Sequence, residues 1–226
     1  FEDSGNVGQL DLILALRWVR DNIAAFGGDP DRIMLFGQSG GGAKIATLMA
    51  MPAAEGLFHC AATMSGQQVT ASGPINATTR AVTWLKALGL TPDRAAEAAT
   101  LPVERLLEAQ AVQDPILGFG GLYFGPVLDF RALPRHPFYP DAASSGLKTP
   151  MIIGNTREET LGFMGDDPKN QDLTWDTLPG RLTPSVMRID VAPEVVVDAY
   201  RRMHPDWSPD QVLIAATTAG RSWRGS

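Results

Sequence analysis

Between residues 9 and 26, apolar side chains recur at Leu12, Leu16, Val19, Ile23 and Phe26, at spacings of four, three, four and three. That rhythm predicts a helix with one apolar face, with Arg17, Arg20 and Asp21 falling elsewhere on its circumference. Gly27-Gly28-Asp29-Pro30 ends it, because Gly accepts positive φ and Pro cannot extend the hydrogen-bond ladder. The next apolar run, Ile33-Met34-Leu35-Phe36, is short and bounded by turn residues, so it predicts a strand buried on both faces, as in parallel sheets. A tight loop is expected over Gly37 to Gly42, then a second helix from about Ala43 to Met51.

The same reading continues downstream. Cys60-Ala61-Ala62-Thr63-Met64 predicts a second buried strand ending at Ser65-Gly66, and Pro150-Met151-Ile152-Ile153-Gly154 a third. Residues 76 to 110 are helical in character, with Thr91-Pro92-Asp93 resembling a helix start. Gly118 to Gly125 is a loop rich in Gly and aromatics. Residues 193 to 204 and 209 to 219 read as helices, and Ser208-Pro209-Asp210-Gln211 has capping-box spacing. No repeat or low-complexity tract interrupts the pattern. Strands alternating with helices predict an α/β fold in which the three strands are parallel neighbours.

Composition narrows the function classes. Of 226 residues 44% are apolar, enough for a substantial core, and the net charge of −6 argues against a general nucleic-acid surface. A single cysteine, Cys60, excludes an intrachain disulfide, and a buried structural thiol is expected there. His59, His136 and His204 show no metal-ligand spacing, so neither a metal nor another cofactor is expected. No apolar stretch approaches the length of a membrane span. The chain opens on Phe1 rather than Met and stops at Arg224-Gly225-Ser226 without a terminal feature, so it reads as an internal piece of a longer protein. Compartment and oligomeric state are left open.

Gly37-Gln38-Ser39-Gly40-Gly41 fits G-x-S-x-G, directly after a predicted strand and directly before a predicted helix, the context a nucleophile elbow requires. Gly37 and Gly41 are expected to give room for the sharp turn, leaving the Ser39 hydroxyl exposed at the strand end. The Gly40 N–H and the start of the following helix are expected to point at the same spot, where they can stabilise the oxyanion of a tetrahedral intermediate. A phosphate-binding turn fits less well. The dinucleotide fingerprint would place Gly where Ser39 stands, and Gly42 is followed by Ala43-Lys44-Ile45 rather than the Lys-Ser/Thr of a P-loop.

A serine nucleophile needs a base, and the base an orienting acid, in the chain order Ser, Asp or Glu, His. Glu158 and Glu159, in Gly154-Asn155-Thr156-Arg157-Glu158-Glu159, lie on a loop just past the third strand, well placed to reach the end of the sheet. Taken alone they read rather as ordinary solvated surface charges. Only His204 follows them, at the end of a predicted helix, where a histidine reads as a cap favoured by the helix dipole. No His-Gly-Gly-Gly stretch is present for the rest of an oxyanion hole. Phe119, Tyr123, Phe124 and Phe163 are candidates for an acyl pocket or equally for core packing.

Several segments together resemble the type-B carboxylesterases, the family of para-nitrobenzyl esterases and cholinesterases. They are Gly5-Asn6-Val7-Gly8 with Asp11, Ala15-Leu16-Arg17-Trp18-Val19, Asn22 through Pro30, Phe36 through Gly42, Phe124-Gly125-Pro126-Val127-Leu128-Asp129 with Leu133-Pro134, and Gly154 through Glu159. The resemblance implies an α/β-hydrolase fold, incomplete at both ends: an elbow over 33–45, a helical insertion over about 75–115, an acid loop over 150–160 and a helical region over about 174–220. It implies hydrolysis of a small-molecule ester through an acyl-enzyme, with Ser39 as nucleophile, Glu159 as acid and a histidine beyond the chain as base. Gln38 stands where the family usually has Glu, and Gly40 where it usually has Ala. With its oxyanion loop and histidine expected outside, the chain alone is expected to be weak or inactive. The alternatives are a non-catalytic cholinesterase-like binding or adhesion domain, or an inactive truncated esterase.

Overall fold

The computed structural model describes residues 4–66, 68–118 and 120–221. Helix α1 spans Val7–Asn22, two residues earlier than its apolar rhythm predicts, after a 3-10 turn at Ser4–Asn6. Gln9, Ile13 and Leu16 form its buried stripe, with Leu12, Val19 and Ile23 half-buried alongside. Phe26 departs from the expected face and is 72% exposed, resting against Trp18 with ring centroids 6.2 Å apart. The reason is local. Ile23–Phe26 form a 3-10 turn, and at three residues per turn the register of the preceding α-helix is lost.

Strands β1 (Met34–Gln38), β2 (Cys60–Met64) and β3 (Met151–Gly154) form one sheet in the order β1-β2-β3. The pairing is parallel. The His59 N–H donates to Ile33 O and the Ser39 N–H to Met64 O, while Ala61 pairs with Pro150 and Ser65 with Gly154, so both registers advance in the same sense. Helix α2, Gly40–Leu48, begins three residues earlier than expected, directly after the β1 turn.

Burial of the strands differs from the expectation. The central strand β2 buries Ala61 and Thr63. On its neighbours, Phe36 is 74% and Ile152 70% exposed, and Met34 and Ile153 are also exposed. An apolar strand is buried on both faces only where a layer covers each face. Among the described residues nothing covers these side chains.

The predicted helical stretch of 76 to 110 divides into α3 (Pro74–Ala87), a 3-10 segment at Pro92–Thr100 and α4 (Val103–Gln110). Leu85, Leu90 and Ala98 form a small core here, with Trp84, Leu88 and Leu106 packed on it. Downstream of α4, backbone groups on both sides of Gly118 gather around a fully buried carboxylate. Asp114 accepts from Arg80 Nε at 2.6 Å and from the N–H groups of Ile116, Leu117 and Tyr123 at 2.8 to 2.9 Å. The Arg80 guanidinium holds the Asp114 carboxyl well below the usual carboxylate range, the backbone donors adding to it against the cost of burial.

After β3 come the short helices α5 (Leu161–Met164), α6 (Leu178–Arg181) and α7 (Pro184–Met187), then α8 (Pro193–Met203) and α9 (Pro209–Arg221). The expected capping box at the start of α9 is present: the Ser208 N–H donates to Gln211 Oε1 at 2.9 Å and the Gln211 N–H to Ser208 Oγ at 3.3 Å. Leu178, Leu182, Met187, Val197, Val212, Leu213 and Ala216 close a core in which Leu178, Leu182, Met187 and Val212 are wholly buried.

Contacts divide the chain into two compact units. One comprises Phe1–Leu35, Lys44–Ala61 and Gln68–Pro150; the other comprises Phe36–Ala43, Ala62–Gln67 and Met151–Ser226. The second unit contains the strand ends and every residue of the candidate site.

Candidate active site

Ser39 is the residue between β1 and α2, and its backbone adopts φ 51°, the left-handed region that a residue with a Cβ rarely enters. Two hydrogen bonds hold it there. Its N–H donates to Met64 O at 2.8 Å, and its carbonyl accepts from the Ala43 N–H at 3.1 Å, one turn into α2. A strained strand-to-helix turn of this kind lifts the side chain clear of the sheet. Ser39 and Gly40 are both exposed, and Gly40 is the first residue of α2.

The space that the turn needs is distributed differently from the expectation. A Cβ on Gly37 would lie 2.5 Å from the Gly41 carbonyl carbon, so Gly37 is required, as its motif position implies. A Cβ on Gly41 would meet nothing within 4 Å. The constraint falls instead on Gly66, whose Cβ would lie 1.9 Å from Ser39 O, because the turns after β1 and β2 touch backbone to backbone. The motif does not contain Gly66. The only signal for it in the sequence is a Ser-Gly pair directly after a predicted strand.

That pair contributes a second serine. Ser65 follows β2 at φ 55°, the same left-handed turn that Ser39 makes after β1. Its N–H donates to Gly154 O at 2.7 Å, and its hydroxyl donates to Glu159 Oε1. The same carboxylate oxygen accepts from the Thr156 N–H at 2.6 Å, so two donors within the loop and the sheet end orient it. Glu158 has a different environment: it is exposed and pairs with the still more exposed Arg157 at 2.9 Å. The ends of the three parallel strands thus bring together Ser39 from the first, Ser65 from the second and the loop of Glu159 from the third.

The three histidines are engaged elsewhere. His59 Nδ1 accepts from the Ile33 N–H and His136 Nδ1 from the Ala71 N–H, each at 3.1 Å. The His204 ring stacks on Trp207 with centroids 3.8 Å apart and planes 7° from parallel, at the end of α8. Of the aromatic candidates, Phe119 lies outside the described residues. Tyr123, Phe124 and Phe163 are exposed rather than packed in a core. Cys60 is half-buried rather than fully buried. No cluster of His, Cys, Asp or Glu that could hold a metal occurs among the described residues, and no helix among them is long and apolar enough to cross a membrane.

A family model described as the carboxylesterase family matches residues 2–197. The chain is 39% identical over 184 residues to para-nitrobenzyl esterase of Bacillus subtilis (strain 168), a match covering 79% of this chain and 36% of that protein. It is 30% identical over 210 residues to Neuroligin-2 of Homo sapiens, covering 90% of this chain and 25% of that protein. The crystal structure of a Geobacillus stearothermophilus carboxylesterase superposes with a TM-score of 0.74 at 34% identity, over 96% of this chain and 44% of the other. This chain therefore spans a quarter to less than half of the length of these relatives.

Proposed function

Since the chain belongs to the carboxylesterase family and has its α/β-hydrolase fold, we propose that it carries the nucleophile and the acid of a serine ester hydrolase. The observation that carries the reading is the left-handed Ser39 at the strand-to-helix turn. The Glu159 carboxylate supports it, because it is oriented by Ser65, the residue next to the one that holds the Ser39 backbone. In this reading Ser39 Oγ attacks the carbonyl carbon of a small-molecule carboxylic ester as a base takes its proton. The oxyanion is stabilised by the Gly40 N–H with donors from elsewhere in the longer protein. The intermediate collapses to an acyl-enzyme on Ser39 and expels the alcohol, which takes the proton from the base; water then releases the acid by the same steps.

Glu159 is the group that orients the base and stabilises its cationic form. The base is a histidine outside these 226 residues, a reading supported by the engagement of His59, His136 and His204 elsewhere. Phe163, 71% exposed on α5 just beyond the acid, is the apolar surface proposed to meet the substrate. Separated from the base and the other oxyanion donors, the chain alone would be severely impaired, since one such donor is worth about 3 kcal/mol.

A second reading, a family member that binds without hydrolysing, draws on the likeness to Neuroligin-2, a name that is not that of a hydrolase. The test is turnover of a p-nitrophenyl ester by the full-length protein and its Ser39→Ala variant. Loss of about a thousandfold or more in kcat is expected. Equal turnover by the two would refute the nucleophile, and no turnover by either, with both folded, would favour the binding reading.

A further inference from the structure

Thr160, the residue directly after Glu159, is 4% exposed and sits in a cluster of hydroxyl groups that the catalytic reading does not use. Its N–H donates to Thr218 Oγ1 at 3.3 Å, and its hydroxyl oxygen lies 3.1 Å from Ile214 O. The same hydroxyl lies 2.7 Å from that of Thr217 and 3.2 Å from that of Thr218. Thr217 is anchored in turn, its hydroxyl donating to Leu213 O at 2.7 Å. Thr217 and Thr218 are each 1% exposed, so these bonds form away from water, where each counts for more.

All of these partners belong to α9, which is itself fixed. Val212, Leu213 and Ala216 are buried in the core with Leu178, Leu182, Met187 and Val197, and the capping box closes the helix start. The acid is therefore held from two sides. Ser65 and Thr156 take its carboxylate from the front, and α9 takes its backbone from behind through Thr160. Thr160 also stands at the N-cap of α5, its carbonyl accepting from the N–H groups of Phe163 and Met164, so the backbone has little freedom to pivot there.

We propose that the Thr160–Thr217–Thr218 cluster is a positioning device for Glu159, through which helix α9 sets the reach of the acid. The proposal rests on the reading of Glu159 as the acid of an ester hydrolase. A side chain held within a few tenths of an ångström of its working position loses rate steeply when its support is loosened. The effect should therefore appear in the chemical step and only in the presence of the carboxylate.

The experiment uses the full-length protein with a p-nitrophenyl ester. Thr160→Val keeps the shape and removes the hydroxyl, Thr160→Ser keeps the hydroxyl, and Thr218→Val removes the acceptor of the Thr160 N–H. Thr160→Val and Thr218→Val should lower kcat about tenfold with KM within about twofold, and Thr160→Ser should retain kcat within about threefold. In a Glu159→Gln background, Thr160→Val should have no further effect beyond about twofold. Wild-type kcat in folded Thr160→Val, or an undiminished loss in the Glu159→Gln background, overturns the proposal. If Thr160→Val does not fold, Thr218→Val is judged by the same criteria. A Ser39→Ala control separates the two levels: turnover surviving there refutes the hydrolase reading itself, whereas a dead Ser39→Ala beside a fully active Thr160→Val refutes only the role of the cluster.

Discussion

An alanine at position 66 tests whether the approach of the two strand-end turns sets Ser39, the proposed nucleophile. Its Cβ would lie 1.9 Å from Ser39 O, 2.7 Å from Ser39 C and 2.9 Å from Ser39 Cα. All three are backbone atoms, so no change of rotamer relieves the contact. Real Cβ atoms essentially never approach closer than 3.0 Å, so the turns must separate by at least 1.1 Å. That displacement acts on the Ser39 carbonyl, which accepts from the Ala43 N–H at 3.1 Å, and it moves the Ser39 backbone by the same order. A misplacement of about 1 Å at reacting groups costs roughly a hundredfold in rate, or about 2.7 kcal/mol in the barrier.

Gly66→Ala in the full-length protein should therefore show kcat/KM for a p-nitrophenyl ester lowered by about a hundredfold, with the burst amplitude reporting the fraction of competent sites. Gly41→Ala, where a Cβ meets nothing within 4 Å, should stay within about threefold of wild type although Gly41 belongs to the motif and Gly66 does not. A Gly66→Ala protein with near wild-type kcat/KM would refute the reasoning. So would a Gly41→Ala protein as damaged as Gly66→Ala.

Two further outcomes follow from named contacts. Ser65→Ala removes a hydroxyl donor to the Glu159 carboxylate and should lower kcat about tenfold, the equivalent of about 1.4 kcal/mol and near the lower end for a hydrogen bond to a charged group; an unchanged kcat would show that the Ser65 hydroxyl is not needed to orient the proposed acid. The carboxyl of Asp114 is held below its ordinary value by Arg80, so its contribution to stability is complete above the unfolded value near pH 4 and is lost as pH falls towards the folded value. Calorimetry should accordingly show Asp114→Asn melting below wild type at pH 7, with the gap narrowing on acidification below about pH 4; a gap that is constant with pH would contradict the assignment.

The features legible in the sequence are those that depend on neighbours a few positions away. The apolar runs mark the three strands because a short apolar run between turn residues leaves few other local solutions. The Ser208–Gln211 box is visible because both of its partners lie within one helical turn. The Ser39 elbow is visible because its strand, turn and helix are contiguous. The loss of Phe26 from the α1 face was hidden, since the apolar spacing does not reveal where an α-helix tightens to 3-10.

The other features arise from contacts between distant parts of the chain. Ser65 reaches Glu159 across 94 positions, Thr160 reaches Thr218 across 58, and Arg80 reaches Asp114 across 34. No periodicity encodes such pairs. They exist because parallel strands deliver their ends to one edge of the sheet, and because a buried hydroxyl or carboxylate must find its partner wherever packing leaves one. Local pattern thus determined which residue could be a nucleophile. Only the tertiary structure decided that Gly66 crowds it, that the carboxylate beside Ser65 is that of Glu159 rather than of Glu158, and that a helix more than fifty residues further on holds that loop. Those choices are made by steric exclusion and hydrogen-bond satisfaction in three dimensions, where separation along the chain carries no weight.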